Sequence, residues 1–394
     1  MTKQVLVGTC LIAAWTVQTT EAGGRIKVWS AEISKLVGEI REPAPEPVWG
    51  LAFSSDETQL AIGFGQQWTS DPRISRGHVI VVAIDQTRRV LHQFSVDDSP
   101  AFAVPGNIEW SPSGKVLVIT PSRLFTLDGE RSCSLPDDGQ VFSGFLNEDQ
   151  IVTYQRWNGT ASSATEIRVY RSNCSIEDSW HPADDWTGVW GTCPQANLLG
   201  LRTISSTRRD QETEITVMSY PDRKSVRHWT WNPNATLGGI TLADSCKLVC
   251  SGQLHKTWKD GYAGCWDIQN GEKVAENPSL TVTDLPAFNG DGGTLIAATI
   301  YKWACLDNRF WVFLDMNGCA ARPKRRILWD VRTGREISSW SIEEQTIQMP
   351  GKAHKSVSAP SALALSPTGK YIAEAGSGRI ELYTTPDRTI AGAR

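Results

Sequence analysis

Apolar residues recur along this chain in short alternating or continuous runs broken by Gly, Pro, Asn, Asp and Ser. The 3.6-residue period of an amphipathic helix is nearly absent, so the pattern predicts strands and turns throughout. Two of the breaks are near copies. SPSGK at Ser111–Lys115 and SPTGK at Ser366–Lys370 each follow a short strand-like run (NIEW, ALAL) and precede another (VLVIT, YIAEA). Ser at the first place, Pro at the second and Gly at the fourth suit a type I turn, so the motif predicts a hairpin corner. Degraded copies place further corners at Ser54, Asn147, Pro194, Asp244 and Asp291. The seven corners stand about 52 residues apart on average, the spacing of a repeated structural unit.

Downstream of each corner the pattern predicts a third strand, a polar turn and a fourth strand. GCWDIQNGEKVAE, ILWDVRTGREISSW and RIKVWSAEISKLVGEI are the clearest copies, and HVIVVAIDQTRRVLHQF is a looser one. QNG and RTG supply the tight-turn chemistry between the alternating runs. The repeating unit is therefore four-stranded and the chain is all-β. Repetition, not division into two or three domains, accounts for its 394 residues.

Trp-Asp at Trp266-Asp267 and Trp329-Asp330, Trp-Ser at Trp29-Ser30, and the SPxGK corners together resemble the WD-repeat family. The resemblance implies a single closed β-propeller of four-stranded antiparallel blades over residues 25–394, with seven blades favoured over eight. It also implies a non-enzymatic scaffold that binds a protein or peptide. One feature departs from the family pattern. The Gly-His dipeptide that often precedes an inner strand occurs here only at Gly77-His78, leading into a third strand instead. Without that buried network, the blades are expected to hold together mainly by apolar packing. The last corner supplies three strands ending at Tyr383, and Lys35–Ile40 is expected to complete that blade. The alternatives are an extra N-terminal strand pair outside the ring, eight blades with two incomplete, or a signal peptide cleaved within the apparent strand.

Residues 1–24 read in two ways. Lys3, the apolar run Val5–Trp15 and Thr20-Glu21-Ala22 suit a secretory signal. Yet LIAA at Leu11–Ala14 recurs as LIAA at Leu295–Ala298 within the repeat, which favours a first-blade strand and, with it, a cytoplasmic over a secreted or periplasmic location. Nine cysteines include no CxxC and no zinc spacing. Cys250 and Cys265 can face each other on paired strands, and Cys305 and Cys319 can staple one loop; free buried thiols are the favoured alternative.

Composition then narrows the function. Net charge is −4, with 40% hydrophobic and 21% charged residues. No apolar run reaches the roughly 18 residues of a membrane span, and nothing argues for nucleic acid. Seventeen tryptophans are more than a core needs and demand a repeated purpose. Insertions between second and third strands are expected at 65–77, 155–166, 204–214, 253–261 and 300–324, all on one face of a propeller. They carry Trp68, Arg73, Trp157, Arg208, Arg209, Trp258, Lys259, Trp303 and Arg309, and also Arg76, Arg156, Lys256 and Lys302. Trp and Arg contribute most to desolvated interfaces, and long loops on a rigid frame are where recognition concentrates. These residues are the candidate binding face. ARPKRR at Ala321–Arg326 is the densest basic run, read as a solvated hairpin flank with a phosphate or acidic partner as the alternative.

Catalytic patterns are missing: six histidines show no metal spacing, and no GxSxG, HExxH, Walker or GxGxxG occurs. No catalytic residue, cofactor, resident metal or small-molecule substrate is expected. The alternative is a secreted or periplasmic propeller hydrolase or lactonase with a divalent metal in its channel, drawing on Glu46, Glu109, Asp184, Asp185 or Asp284. Asn158, Asn173 and Asn234 head glycosylation sequons, about as many as chance gives.

Overall fold

At both SPxGK corners the leading serine closes the turn with its side chain and its carbonyl. Ser111 Oγ accepts from the N–H groups of Val116 (3.1 Å) and Lys115 (3.3 Å), and its carbonyl accepts from Gly114 at 2.8 Å. Ser366 repeats this with Tyr371 (2.9 Å) and Gly369 (2.8 Å). The fourth corner residue is left-handed in both, with φ of 72° at Gly114 and 73° at Gly369. The same corner is built at Ser54 and at Ala243, one residue ahead of the expected Asp244, but with Glu57 and Cys246 in the fourth place, each at φ 58°. A side chain there costs about 1 kcal/mol or more of backbone strain. Both side chains bond the neighbouring sheet, as described below.

The Trp-Asp pairs have an equally local explanation. Asp267 Oδ1 accepts from the N–H groups of Gln269 (2.7 Å) and Asn270 (3.0 Å), and Asp330 Oδ1 from Arg332 (3.0 Å) and Thr333 (3.3 Å). Asp85 holds the corresponding turn through the Thr87 N–H at 2.8 Å. The aspartate thus forms the third-to-fourth turn while the preceding Trp266 or Trp329 is buried between sheets.

The computed structural model describes residues 26–32, 48–65, 77–85, 87–95, 108–119, 123–127, 131–136, 140–155, 165–182, 187–204, 213–231, 235–243, 246–255, 261–277, 287–288, 295–305, 319–341, 344–348, 356–360, 362–376 and 378–385. Those residues form four-stranded antiparallel sheets in the manner of propeller blades. Sheet I comprises Val48–Phe53, Gln59–Gly65, Gly77–Ala83 and Val90–Ser95. Sheet II comprises Ile108–Trp110, Val116–Ile119, Arg123–Thr126 and Arg131–Ser134. Sheet III comprises Gln140–Phe145, Gln150–Gln155, Ile167–Arg171 and Ile176–Trp180. Sheet IV comprises Thr187–Cys193, Leu198–Ile204, Thr213–Ser219 and Ser225–Trp231. Sheet V comprises Ala235–Leu242, Leu248–His255, Gly261–Asp267 and Lys273–Asn277. Sheet VI comprises Ala287–Phe288, Leu295–Cys305, Cys319–Asp330 and Arg335–Ser341. Sheet VII comprises Ala362–Leu365, Tyr371–Gly376 and Arg379–Thr384, with Ile26–Glu32 as its fourth strand. Each expected corner falls between a first and a second strand. A two-stranded pair, Glu344–Gln348 with Ser356–Pro360, lies between sheet VI and sheet VII in the chain and has no counterpart among the described residues of the other repeats.

The strand that completes sheet VII corrects the expectation of Lys35–Ile40. Ile26–Glu32 pairs with Arg379–Thr384, from Ile26 opposite Thr384 to Glu32 opposite Arg379, and Lys27 Nζ donates to Glu381 Oε1 at 3.0 Å. Burial pushes the Glu381 carboxyl up, but hydrogen bonds from Tyr383 and Lys27 outweigh it and hold its pKa below the usual range. Residues 35–40 lie outside the described residues.

Apolar clusters fill the spaces between successive sheets. Ile62, Ile80 and Leu382 join VII to I; Val81, Phe94 and Leu117 join I to II; Val118, Phe145 and Tyr170 join II to III. Val169, Leu199 and Tyr220 join III to IV, and Val217, Val249 and Trp266 join IV to V. Cys265, Ile327 and Trp329 join V to VI, and Leu328, Trp340 and Ile372 join VI to VII.

Covalent and polar bonds between sheets add to this apolar packing. Cys133 of sheet II is bonded to Cys174 of the third-to-fourth turn of sheet III, and Cys193 of sheet IV to Cys246 in the corner of sheet V. Cys250–Cys265 ties two strands within sheet V, as their pairing suggested. The favoured reading of free buried thiols therefore fails for these six cysteines. Carboxylates add clamps of one design. Glu57 of sheet I accepts from the Thr368 N–H (2.6 Å) in the sheet VII corner, and Glu148 of sheet III accepts from the Ser113 N–H (2.7 Å) in the sheet II corner. Thr368 and Ser113 occupy the same place in the two SPxGK motifs. Glu148 also takes hydrogen bonds from the hydroxyls of Ser111 (2.9 Å) and Ser113. Glu148→Ala removes all three, and urea unfolding is expected to record a loss of about 1–2 kcal/mol with the sheet content unchanged.

Candidate functional site

In an antiparallel four-stranded sheet the first-to-second and third-to-fourth turns share one end, and the second-to-third connections share the other with the links between sheets. The bonds between corners fix how neighbouring sheets align. Thr368–Glu57, Ser113–Glu148 and Cys193–Cys246 each join corner ends of adjacent sheets, and Trp110 Nε1 at the corner end of sheet II donates to the Ala52 carbonyl of sheet I at 3.0 Å. The opposite ends of sheets VII, I, II and III therefore face one rim, and those of sheets IV and V likewise lie together. Connections 66–76, 156–164, 205–212, 256–260 and 306–318 all join second to third strands, in the places expected of the insertions.

Of the candidate residues, Trp68, Arg73, Trp157, Arg208, Arg209, Trp258, Lys259 and Arg309 lie on those connections, outside the described residues, as do Arg76, Arg156 and Lys256. Trp303 is placed differently. It belongs to the strand Leu295–Cys305 and stands opposite Ala321, so the expected loop 300–324 is in large part a hairpin. Pro323 pairs with Tyr301 next to a register shift at Ile300/Tyr301, and a bulge tolerates proline. The basic run Ala321–Arg326 is likewise in a strand, and its last residue is no surface cation. The Arg326 side chain is 3% exposed and its Nε lies 3.9 Å from Glu374 of sheet VII.

The described part of the rim holds a cation that sequence reasoning missed. Arg202, near the rim end of the second strand of sheet IV, has its guanidinium carbon 5.2 Å from the centre of the Trp190 ring. Its Nε is buried without a hydrogen-bond partner, and it makes no ion pair among the described residues. Burial holds its pKa below the usual arginine value, with Tyr154 of sheet III partly opposing the shift. Gly188, paired with Arg202, makes this grouping possible. A Cβ there would stand 2.8 Å from Trp190 Nε1 and 3.3 Å from Tyr154 Cε2, closer than packing allows. Arg202 leads directly into the connection carrying Arg208 and Arg209. The only sequence signal was a Gly-x-Trp-Gly strand beside an arginine-bearing one, and strand pattern alone does not distinguish a stacked cation from a solvated one. What the grouping offers chemically is a half-desolvated guanidinium stacked on an aromatic face, suited to a carboxylate or a carbonyl.

The candidates for a channel metal fare otherwise. Glu109 Oε1 accepts from the Phe145 N–H at 3.3 Å, bracing sheet II against sheet III. Glu46, Asp184, Asp185 and Asp284 lie outside the described residues. Among the described residues no group of three potential metal ligands comes together.

Neither family models nor curated proteins match this chain. Solved structures do. The C-terminal WD40 domain of Sif2 aligns over 86% of this chain and 82% of its own at 12% identity, with a TM-score of 0.49. The β-propeller domain of Cps50 (Swd1) from Myceliophteria thermophila aligns over 86% of this chain and 99% of its own at 12% identity, with a TM-score of 0.55. At that identity the second likeness speaks for the fold alone.

Proposed function

We propose, from the premise that the chain folds as a WD40-like β-propeller, that it is a non-enzymatic scaffold binding a protein or peptide at the rim where the second-to-third connections meet. The carrying observation is Arg202: a half-desolvated cation stacked on Trp190, with no ion pair among the described residues, beside connections rich in Trp and Arg. The platform for that rim is read as a closed ring of seven blades. Support for this comes from the seven four-stranded sheets among the described residues, the apolar cluster between each successive pair, and the N-terminal strand in sheet VII. The three disulfides support maturation in an oxidising compartment, against the cytoplasmic preference drawn from the LIAA repeat.

The test compares rims. Alanine at Trp68, Trp157, Trp258 and Trp303 is expected to leave melting unchanged and abolish cross-links to captured partners, while alanine at Thr58 and Lys115 on the corner rim leaves both intact. Unfolding of the tryptophan variant, or unchanged capture, overturns the reading. Arg202→Met gives a second, sharper sign. Removing a desolvated cation in favour of an apolar side chain of similar length is expected to hold or raise the melting temperature while weakening capture at least tenfold. A structural role for Arg202 would lower melting instead.

A further inference from the structure

Sheet VI differs from the others in the length of its two middle strands. Leu295–Cys305 and Cys319–Asp330 pair over eleven register positions. The first strand reaches only Ile296 and Ala297, and the fourth reaches from Asp330 back to Arg325. Residues 301–305 and 319–323 therefore continue as a two-stranded ribbon whose ladder partners, among the described residues, are each other. A lone two-stranded ribbon is marginal in water, with half its backbone groups unpaired on each edge. This one ends on Cys305 directly opposite Cys319.

We infer that Cys305 and Cys319 form a fourth disulfide, which locks this ribbon at the connection-bearing rim. Directly opposed residues of an antiparallel pair have Cα atoms about 4.5 or 5.5 Å apart, depending on the phase of the ladder, and both fall in the range a disulfide spans. The chain carries its own precedent. Cys250 stands opposite Cys265 in the ladder of sheet V, at a Cα separation of 4.1 Å, and the two are bonded. The cysteine count agrees: of nine, six are bonded, and Cys305 with Cys319 makes eight, leaving Cys10. The chemistry is thiol–disulfide exchange with a disulfide oxidant such as glutathione disulfide. The thiolate of one cysteine attacks the oxidant and releases one glutathione thiol; the second cysteine then attacks the mixed disulfide, forming the bridge and releasing the other. The two protons of the cysteine thiols end on the two glutathione thiols.

The inference does not rest on the scaffold reading, and its test involves no partner. The full-length protein is equilibrated with glutathione disulfide, denatured, alkylated and digested with trypsin without reduction. Peptide 303–309 is expected to be linked to peptide 310–324, since the Arg322-Pro323 bond resists cleavage, and the denatured chain is expected to contain one alkylated thiol. In hydrogen exchange, the Cys305→Ser/Cys319→Ser variant is expected to lose protection at least tenfold at residues 301–305 and 319–323, with sheets I to V unchanged. Alkylation of both cysteines after oxidation, whatever the state of the other six, overturns the inference, as does linkage of either one to Cys10.

Discussion

Complete reduction of the described disulfides is expected to lower the melting temperature by on the order of 10 °C, the largest single effect of any treatment that leaves the sequence intact. The bridges close chain segments with separations of 41, 53 and 15 residues. Loop-closure entropy assigns these about 4, 4 and 3 kcal/mol, respectively. Unfolding entropy near the midpoint is about 2.1 cal/mol/K per residue, or about 0.8 kcal/mol/K for a chain of this length melting as one unit. The ratio gives a fall of about 13 °C for all three. Cys193→Ser/Cys246→Ser alone is expected to account for about 5 °C of it, because that bridge closes the longest segment and joins two sheets. Calorimetry with and without reductant, with thiols counted to prove reduction, makes the comparison. An unchanged midpoint in fully reduced protein refutes the role given to the bridges.

Those bridges also mark where sequence reading stops. The corners and the third-to-fourth turns were legible because their chemistry is local: Ser111 and Ser366 bond N–H groups four or five residues on, and Asp267 and Asp330 bond N–H groups two or three residues on. A contact within five residues leaves its signature in the spelling. Cys250–Cys265 was visible for a related reason, since both lie in strands that are consecutive in the repeat and so pair directly. The bonds between sheets leave no such mark. Cys193 meets Cys246, and Glu148 meets Ser113, only because whole sheets stack, and one sequence carries no record of that stacking. The closing strand was misplaced because Lys35–Ile40 alternates as well as Ile26–Glu32, and only pairing with Arg379–Thr384 chooses between them. The tryptophan excess had suggested the loops. Part of it goes to wedges between sheets: Trp110, Trp266, Trp329 and Trp340 are all buried there, and the first and last also donate to a neighbouring sheet. Of the candidate site, the sequence located the connections and missed Arg202, whose significance lies in burial beside Trp190 from a different strand.

The second large effect lies where sheet VI meets sheet VII. Glu374→Ala is expected to destabilise the protein by about 3–5 kcal/mol, because it removes the carboxylate that faces a buried cation at the seam. Arg326 and Glu374 have side chains 3% and 12% exposed, with Nε and Oε1 3.9 Å apart. The other carboxylate oxygen, Oε2, accepts from Trp340 Nε1 at 2.9 Å. One carboxylate thus balances a buried cation and satisfies an indole at the same time. Glu374→Gln keeps an acceptor for the indole but not the charge, so it is expected to fall between the wild type and the alanine variant. Arg326→Met removes the cation and leaves the carboxylate its indole donor, so its cost is expected to be smaller than that of Glu374→Ala. Loss of the carboxylate's charge makes both Glu374 variants costly, whereas a cavity alone would leave the isosteric Glu374→Gln near the wild type and make only Glu374→Ala severe. Thermal and urea unfolding of the three variants decide it, with a fall of about 5 °C expected for Glu374→Ala. Lys27–Glu381, within sheet VII, is part-exposed, so among these two ion pairs the buried one at the boundary of sheets VI and VII is where losing a single side chain is expected to cost more.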